Sequence, residues 1–434
     1  MQAASTTASR FRSAWARLTV PELPRDRWRD ALLVLLVAVP IAFNAVALWP
    51  EVSRPIPSVN DDAFHYLMIL SGSDAIARGE NPLDSWGPEM DFGAPRFLFY
   101  QNFPALFVIA LDRLTFGLVG LLNLLNLTRY VLMVTLPLTV FWSMRRLEFS
   151  SIAAAGAAAA ASLVSTDGLY GIEYESFIWR GWGMFTQLCA IHLSFITTAC
   201  LWHLARTGKG FVRTALMASL LVLSHLLYAE MMVITGAVIF LVGVDRAVLR
   251  RRIVQFAVVG LLIGIGTSYL WVIYLLNSPY VGESPYDARW KYDSFEPQQI
   301  LDWLFAGELF DARRWPVLTL VLAAGIASLL LIRGRQRYLA LALFSVWLVL
   351  YFGRSTWGPF AEYIPSGSML LFHRFIGSFH IASILIIGMG FEAGWRILSL
   401  LPRPATLAAG AAGCALLLGP TIVERQAFYA DNTR

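Results

Sequence analysis

Apolar stretches of about twenty residues recur along this 434-residue chain and constrain its fold more than any other feature. A stretch of that length can cross the hydrocarbon core of a bilayer as a helix. Charged residues make up 15% of the chain and the mean hydropathy is +0.60, whereas a soluble domain carries about a quarter charged residues. The sequence therefore predicts an all-α protein that crosses the membrane many times. It excludes a soluble enzyme, a disordered scaffold and a fibrous protein.

Basic residues predict how the chain is oriented. The net charge is +5, and almost all the basic residues are Arg, with only Lys209 and Lys291 as lysines. Basic residues concentrate in cytoplasmic loops, and here clusters alternate between apolar stretches at 145–146, 206–213, 246–252, 333–337 and 396–403. This alternation predicts about eleven crossings with a cytoplasmic N-terminus. No basic surface domain indicates a nucleic-acid partner, so the expected partners include membrane lipids but no nucleic acid.

Three regions follow from this orientation. Residues 1–30 form a basic cytoplasmic N-terminus that is too long for the n-region of a signal peptide, so the first span, Ala31 to Trp49, is expected to remain as an anchor. Residues 31–420 form the transmembrane domain, with a first outer loop at 50–102. Residues 421–434 begin an outer C-terminal segment, and either the natural protein ends there or a soluble outer domain follows. The stretch 103–118 is predicted to be a juxtamembrane helix, since a full crossing there would place Arg145 and Arg146 outside.

The outer loops hold most of the carboxylates, aromatic residues and Pro/Gly turns, and the inner loops are short and basic. After the first loop, the predicted outer segments are Thr166–Gly183, a turn near His225–Glu230, Asn277–Trp315 and Gly353–Phe372. Function is therefore expected on the outer face.

An acidic pair, Asp61 and Asp62, opens a predicted helix over 62–78, and His65 follows on roughly the same face. The spacing predicts that this helix turns Phe64, Leu67, Leu70 and Ile76 toward one side. Such a polar cluster can take a proton from a hydroxyl or bind a divalent cation. Equally, Asn60 can cap the helix while the two carboxylates favour its dipole. The spacing alone leaves both interpretations open.

A second motif, Gly93-Ala94-Pro95-Arg96-Phe97-Leu98-Phe99-Tyr100, lies further along the loop. The acidic pair after the first span, a helix ending in Arg-Gly, a Trp and then Gly-x-Pro-x-Phe-x-Phe-Tyr resemble the GT-C superfamily of membrane glycosyltransferases. More narrowly, the chain is similar to the bacterial and archaeal membrane proteins labelled "6-pyruvoyl-tetrahydropterin synthase-related", a label that does not describe a pterin activity. The resemblance is clearest from Trp49 to Arg146.

This resemblance implies a GT-C-like bundle with a large first extracytoplasmic loop and juxtamembrane helices. It also implies an inverting glycosyltransferase that moves a hexose or pentose from a polyprenyl-phosphate-linked donor to a glycan, lipid or protein acceptor. Asp61 or Asp62 takes the position of the general base, with a preference for Asp62 because it begins the helix. The resemblance is compatible with a divalent cation, Mg²⁺ or Mn²⁺, with Asp61, Asp62 and His65 as candidate ligands, although some members of the superfamily work without one. The expected location is a bacterial or archaeal cytoplasmic membrane, with the active site facing outside.

A cation that neutralises the donor phosphate would make it a better leaving group. Arg374, Arg180 and His373 are the candidates. Arg180 fits equally an interfacial aromatic belt with Trp179 and Trp182, and His373 fits a polar contact between helices. Arg374 is the stronger candidate, because an Arg that enters a span needs a partner or a phosphate.

Five residues are predicted to contact substrate: His65, Tyr100, Glu175, His225 and Trp290. Aromatic faces beside carboxylates suit sugar stacking but suit the membrane interface as well. His225 and Glu230 can also form a purely structural polar contact.

Two other functions compete with glycosyl transfer. A lipid or polysaccharide transporter or flippase would carry charges deep in several spans and paired broken helices, whereas the charges here crowd the outer face. A non-catalytic membrane protein that retains the fold is the third alternative. An assay of sugar transfer separates these possibilities.

Overall fold

The computed structural model describes residues 27–87, 93, 95–277, 279, 287–331, 335–364, 367 and 369–431. Within these residues the regular structure is helical, apart from isolated bridge residues that include the pair Ser165 and Asp311. Residues 1–26 of the predicted basic terminus at 1–30, most of the 278–286 segment and part of the Gly-x-Pro motif lie outside the described residues. The α-helices are α1 Arg27–Ala47, α2 Asp61–Ala77, α3 Arg96–Phe99, α4 Phe103–Leu114, α5 Leu121–Arg146, α6 Ser151–Ala161, α7 Phe185–Thr207, α8 Phe211–Ser224, α9 Leu226–Leu241, α10 Arg246–Gly266, α11 Ser268–Leu276, α12 Arg289–Asp293, α13 Glu296–Ala306, α14 Val317–Leu331, α15 Arg335–Tyr351, α16 Arg354–Trp357, α17 Ile376–Leu398 and α18 Arg403–Asp431.

Several of these helices are suited to a bilayer. Among the described residues, five helices are long and apolar enough to cross it, or up to seven if each of two sharply bent pairs counts as one span. The bent pairs are α10 with α11, at 76°, and the α15 region with the α16 region, at 96°. Four shorter apolar helices, α6, α8, α9 and α14, accompany them. An all-α integral membrane protein is therefore confirmed, while the total of about eleven crossings stays a prediction.

Helix α17 is the centre of the bundle and packs against α6, α14 and α15. Small residues let these backbones approach closely. A Cβ added at Gly388 would lie 2.4 Å from the Ala153 carbonyl oxygen, and one at Gly390 would lie 2.0 Å from that of Val321. Helix packing in membranes depends on such contacts, since lipid tails give little hydrophobic drive for association.

Helix α2 begins one residue before its predicted start. The Asn60 side chain accepts a hydrogen bond of 2.9 Å from the Asp62 amide, which caps the first turn. At the other end Gly79 adopts φ +75°, a left-handed conformation that glycine reaches without strain.

The predicted face of α2 is wrong. Met68, Ile69 and Gly72 are buried together with Asp62 and His65, whereas Ile76 is exposed. The residues of the predicted apolar face that remain half-buried are Phe64, Leu67 and Leu70. Gly72 explains why this face of α2 is buried, because a Cβ there would lie 2.8 Å from the Ile109 side chain. Helix α4 packs closely on this small residue, and apolar periodicity alone does not reveal such a contact.

Two boundaries bear on the predicted topology. Helix α4 has 12 residues, so it is about 18 Å long at 1.5 Å per residue, against roughly 30 Å for the hydrocarbon core. Its juxtamembrane placement stays a prediction. Helix α18 continues to Asp431, past the predicted end of the last span at Pro420.

Candidate functional site

The start of α2 lies beneath the loop that joins α6 to α7. The Asn60 side chain donates hydrogen bonds to the carbonyl oxygens of Trp179 and Gly181, at 3.1 and 2.6 Å. Gly183 has φ +66°, and a Cβ there would lie 2.6 Å from the Asn60 side-chain oxygen and 2.7 Å from the Asp62 amide nitrogen. The loop therefore fixes where the two adjacent carboxylates point.

Asp62 points into the protein. Its side chain is fully buried, and its Oδ1 accepts a hydrogen bond of 2.5 Å from Nη1 of Arg129, which is also fully buried. The second guanidinium nitrogen of Arg129 lies 3.7 Å from Oε2 of Glu51. Two carboxylates and one guanidinium thus form a buried ionic network between α2, α5 and the segment after α1.

Further groups complete this network. Arg54 lies 3.7 Å from Oε1 of Glu51, and the Trp179 amide donates to Oε2 of Glu51 at 2.8 Å. The Tyr429 hydroxyl, near the end of α18, donates to Oε1 of Glu51 at 3.1 Å. Helix α18 and the α6–α7 loop are thereby attached to the segment that precedes α2.

Asp61 points the other way. Its side chain is exposed and has no hydrogen bond or ion pair within the described part of the chain. The surrounding protein nevertheless raises its pKa by desolvation, against the opposing effect of the positive charges of Arg374 and Lys291. We refer to the surface around Asp61, which is open to water yet partly desolvated by the protein, as the cleft.

Arg374 belongs to the 3-10 helix Phe372–Phe375 that leads into α17. Its guanidinium lies 4.8 Å from the ring centre of Tyr170 and 2.7 Å from the Met184 sulfur. Tyr170 stacks in turn on Trp182, with ring centres 4.7 Å apart. Arg374 has no carboxylate partner within ion-pair distance among the described residues, so its charge is available to an anion in the cleft.

Lys291 brings a second cation to Asp61. Its ammonium group lies 2.7 Å from Asp287, one helical turn away. Its backbone oxygen lies 2.6 Å from Nδ1 of His373, and the rings of Tyr170 and Trp290 contact that imidazole edge-on at 5.3 and 5.1 Å. His373 is 1% exposed, so it fastens α12 beside Arg374 and is too buried to meet a substrate phosphate.

The remaining residues around the cleft are polar and aromatic. Tyr100 hydrogen-bonds Thr186, and burial followed by the charge of Asp61 raises its pKa, so its hydroxyl stays protonated. Burial lowers the pKa of His65 to about 3, which makes this imidazole neutral at ordinary pH. His225 lies within electrostatic range of both Arg374 and His65.

Two predicted site residues are not among these electrostatic partners of Asp61. Arg180 is exposed on the α6–α7 loop. Glu175 lines a separate cavity with Arg313 and Glu424. Asp61, Tyr100 and Arg374 therefore lie within electrostatic range of one another, and His225 lies within range of Arg374. Lys291 adds its charge to Asp61, and His373 and Trp290 contact one another beside it.

The predicted metal ligands do not form a site. Asp62 is bound to Arg129 and turned away from Asp61. No group of three His, Cys, Asp or Glu side chains in the described ranges could hold a metal ion. Because Arg129 occupies Asp62, the set Asp61, Asp62 and His65 does not come together as a ligand group in the described residues.

The sequence interpretation missed Arg129, Glu51 and Lys291. Arg129 could have been found, since it interrupts an otherwise apolar stretch and a charge inside a span needs a partner. Glu51 is the acidic residue closest after the first span. Lys291 is one of two lysines, but its proximity to Asp61 depends on the contact between α12 and the 3-10 helix of Arg374.

The cleft can thus combine a proton acceptor with anion binding. Asp61 carries an unpaired carboxylate whose raised pKa makes it a stronger base than an ordinary Asp. Arg374 and Lys291 place positive charge on the same cleft, where protein surroundings strengthen electrostatic interactions.

Comparison with known proteins gives structural neighbours only. No family model and no curated protein matches the chain. The fold is similar to that of the Archaeoglobus fulgidus oligosaccharyltransferase tethered with an acceptor peptide, with a TM-score of 0.60, 12% identity, 93% of this chain covered and 55% of that chain. The same archaeal enzyme in complex with an inhibitory peptide and a dolichol-phosphate has a TM-score of 0.59 and 13% identity, over 92% of this chain and 56% of that chain. Its complex with Zn and sulfate has a TM-score of 0.53 and 14% identity, over 90% of this chain and 52% of that chain.

The arabinofuranosyltransferase AftD from mycobacteria has a TM-score of 0.53 and 17% identity, over 92% of this chain and 27% of that chain. At such identities these matches establish the fold alone, and they confirm the GT-C fold. The chain spans about half the length of the archaeal enzyme and about a quarter of the mycobacterial one. The narrower resemblance to the "6-pyruvoyl-tetrahydropterin synthase-related" proteins stays a prediction.

Proposed function

We propose that this protein is a membrane glycosyltransferase that uses a polyprenyl-phosphate-linked sugar, with Asp61 as its general base. Structural neighbours with this fold are glycosyltransferases, and one is known in complex with a dolichol-phosphate. The acceptor is a glycan, lipid or protein hydroxyl that reaches the cleft from the extracytoplasmic side.

The single observation that carries this proposal is the contrast between the two adjacent carboxylates. Asp62 is neutralised by Arg129 inside the protein, so it is unavailable to a substrate. Asp61 is unpaired, faces the cleft and lies within electrostatic range of Arg374. The base of the proposed reaction is therefore Asp61, in place of the Asp62 that the sequence favours.

The reaction follows from this arrangement. Asp61 takes the proton of the acceptor hydroxyl as its oxygen forms a bond to the anomeric carbon. The bond between that carbon and the phosphate oxygen breaks, and both its electrons leave with the lipid phosphate. Arg374 and Lys291 stabilise the charge on the leaving phosphate. Attack opposite the leaving group inverts the anomeric centre, and no step needs a metal ligand from Asp62.

The test uses proteoliposomes containing the full chain and a panel of radiolabelled polyprenyl-phosphate hexoses and pentoses. We expect the wild type to release polyprenyl phosphate from at least one donor when lipid, glycan or peptide acceptors are present. Asp61→Asn should slow this release by about 10²–10⁴-fold. Asp74→Asn changes an exposed carboxylate on the same helix and should leave it intact. Movement of intact donor between leaflets without bond cleavage would instead identify a flippase and contradict the proposal.

A further inference from the structure

A cavity of about 510 Å³ lies between the α6–α7 loop, the turn before α14 and the last part of α18. Its size falls within the range of ligand pockets. Ser165, Thr166 and Glu175 line it from the loop, Arg314 from the turn, and Val423 and Glu424 from α18. It is separate from the cleft of Asp61.

The charges of this cavity are nearly balanced. Arg314 donates two hydrogen bonds to Glu424, one of them 2.7 Å long. Arg313 pairs with Asp167 at the rim. Glu175 is left as the only carboxylate of the lining without a hydrogen bond or ion pair in the described residues.

This distribution selects a class of ligand. One unpaired carboxylate disfavours phosphate or another acid, because like charges repel at short range. Carboxylates accept hydrogen bonds from hydroxyl groups, guanidinium groups donate to them, and Ser or Thr hydroxyls do both. A polyhydroxylated molecule satisfies all three kinds of group.

We propose that this cavity binds an oligosaccharide that lacks acidic groups, either neutral or amino-bearing. Its assignment as part of the acceptor rests on the proposed glycosyltransferase function. Burial, and next the nearby charge of Glu424, raise the pKa of Glu175, and its carboxylate oxygens accept hydrogen bonds from sugar hydroxyls.

The loop gives this cavity a direct connection to the start of α2. The Glu175 backbone oxygen accepts a hydrogen bond of 3.0 Å from the Trp182 amide, and a Cβ on Gly181 would lie 1.7 Å from that same oxygen. The Gly181 oxygen accepts from Asn60, the cap of α2. An oligosaccharide bound at Glu175 therefore touches the loop that orients Asp61.

The test is ligand binding by saturation-transfer-difference NMR on the full chain in nanodiscs. The probes are two neutral disaccharides, mannobiose and diacetylchitobiose, and one sulfated disaccharide. Val423→Trp fills the cavity from a position that is 66% exposed, and Ile422→Trp makes a comparable change at the next residue, which does not line it. Glu175→Gln removes the unpaired charge, and equal melting temperatures establish that each variant is folded.

We expect a neutral disaccharide to bind the wild type and Ile422→Trp, and to bind Val423→Trp and Glu175→Gln at least tenfold more weakly. Failure of both neutral probes to bind the wild type, equal binding to Val423→Trp, or tighter binding of the sulfated probe would overturn the proposal. Disaccharide binding is measured without a sugar donor, so it does not depend on catalysis. Failure of binding would refute only the proposed sugar site, whereas wild-type transfer by Asp61→Asn would refute the proposed function.

Discussion

The two carboxylates at the start of α2 are adjacent in sequence but occupy opposite environments. Asp62 is fully buried and bound to Arg129, whereas Asp61 is exposed in a cleft with Arg374 and Lys291 in electrostatic range. Successive residues of an α-helix point about 100° apart, so one turn of helix can serve a structural network on one side and a reactive site on the other. An acidic pair therefore divides into one residue that holds the helix and one that is free to react.

The buried network around Asp62 should contribute strongly to the stability of the fold. Arg129→Gln leaves Asp62 and Glu51 buried without their shared cation, and breaking a buried pair from one side costs about 3–5 kcal/mol. We expect this variant to melt far below the wild type in thermal unfolding monitored by tryptophan fluorescence. The matched control is Arg289→Gln, which breaks an ion pair whose Arg is 92% exposed and should cost about 1 kcal/mol or less. Equal melting of Arg129→Gln and wild type would remove the structural role of the network.

The exposed groups around Asp61 should control the rate of turnover. Arg374→Gln removes the positive charge that faces Asp61, and loss of one preorganised electrostatic group lowers turnover by about 10²–10³-fold. Arg78→Gln is the control, because Arg78 pairs with Glu80 on the surface. Initial rates of polyprenyl phosphate release give the comparison. A wild-type rate in Arg374→Gln would assign phosphate binding to another residue.

The contribution of the α6–α7 loop, which contacts the start of α2, can be tested with a pair of glycines. Gly183 and Gly79 both have positive φ, but a Cβ meets Asn60 and Asp62 only at Gly183 and nothing within 4 Å at Gly79. The left-handed conformation costs a non-glycine residue about 1–2 kcal/mol. We expect Gly79→Ala to lose that much stability and keep its transfer rate. Gly183→Ala should lose more stability and part of its transfer rate, and equal losses in both variants would dissociate the loop from the site.

The smallest expected effect is on pH dependence. Desolvation raises the pKa of Asp61 above its ordinary 3.8, so the base is lost as pH falls through that raised value. The positive charge of Lys291 lowers this pKa, and Lys291→Gln should therefore shift the acidic limb of the kcat/KM profile to higher pH. Lys209→Gln, the other lysine of the chain, should not shift it. A limb at unchanged or lower pH in Lys291→Gln would show that this cation does not act on the base.

The fold was largely predictable, because composition and basic clusters directly report what a bilayer demands of a chain. The all-α membrane class, the helix that starts at the acidic pair and the GT-C fold all follow from sequence features. The buried side of α2 could not be predicted from the sequence, since the close approach of α4 at Gly72 is a tertiary contact.

The roles within the site were less predictable. The sequence brings Asp61, Tyr100 and Arg374 forward as candidates, and the structure places them within electrostatic range of one another. It cannot show which Asp faces inward, because that choice depends on Arg129, 67 residues further along the chain. His373 was predicted to meet phosphate, yet it lies buried against the Lys291 backbone.

The most direct test of this account compares Asp61→Asn with Asp62→Asn at equal amounts of folded protein. Both variants keep the size and much of the hydrogen bonding of the carboxylate. We predict that Asp61→Asn melts like the wild type but transfers sugar about 10²–10⁴-fold more slowly, as expected for loss of a general base. Asp62→Asn should mainly lower the melting temperature, since Arg129 loses its closest partner. Wild-type transfer by folded Asp61→Asn would contradict the assignment of Asp61 as the base.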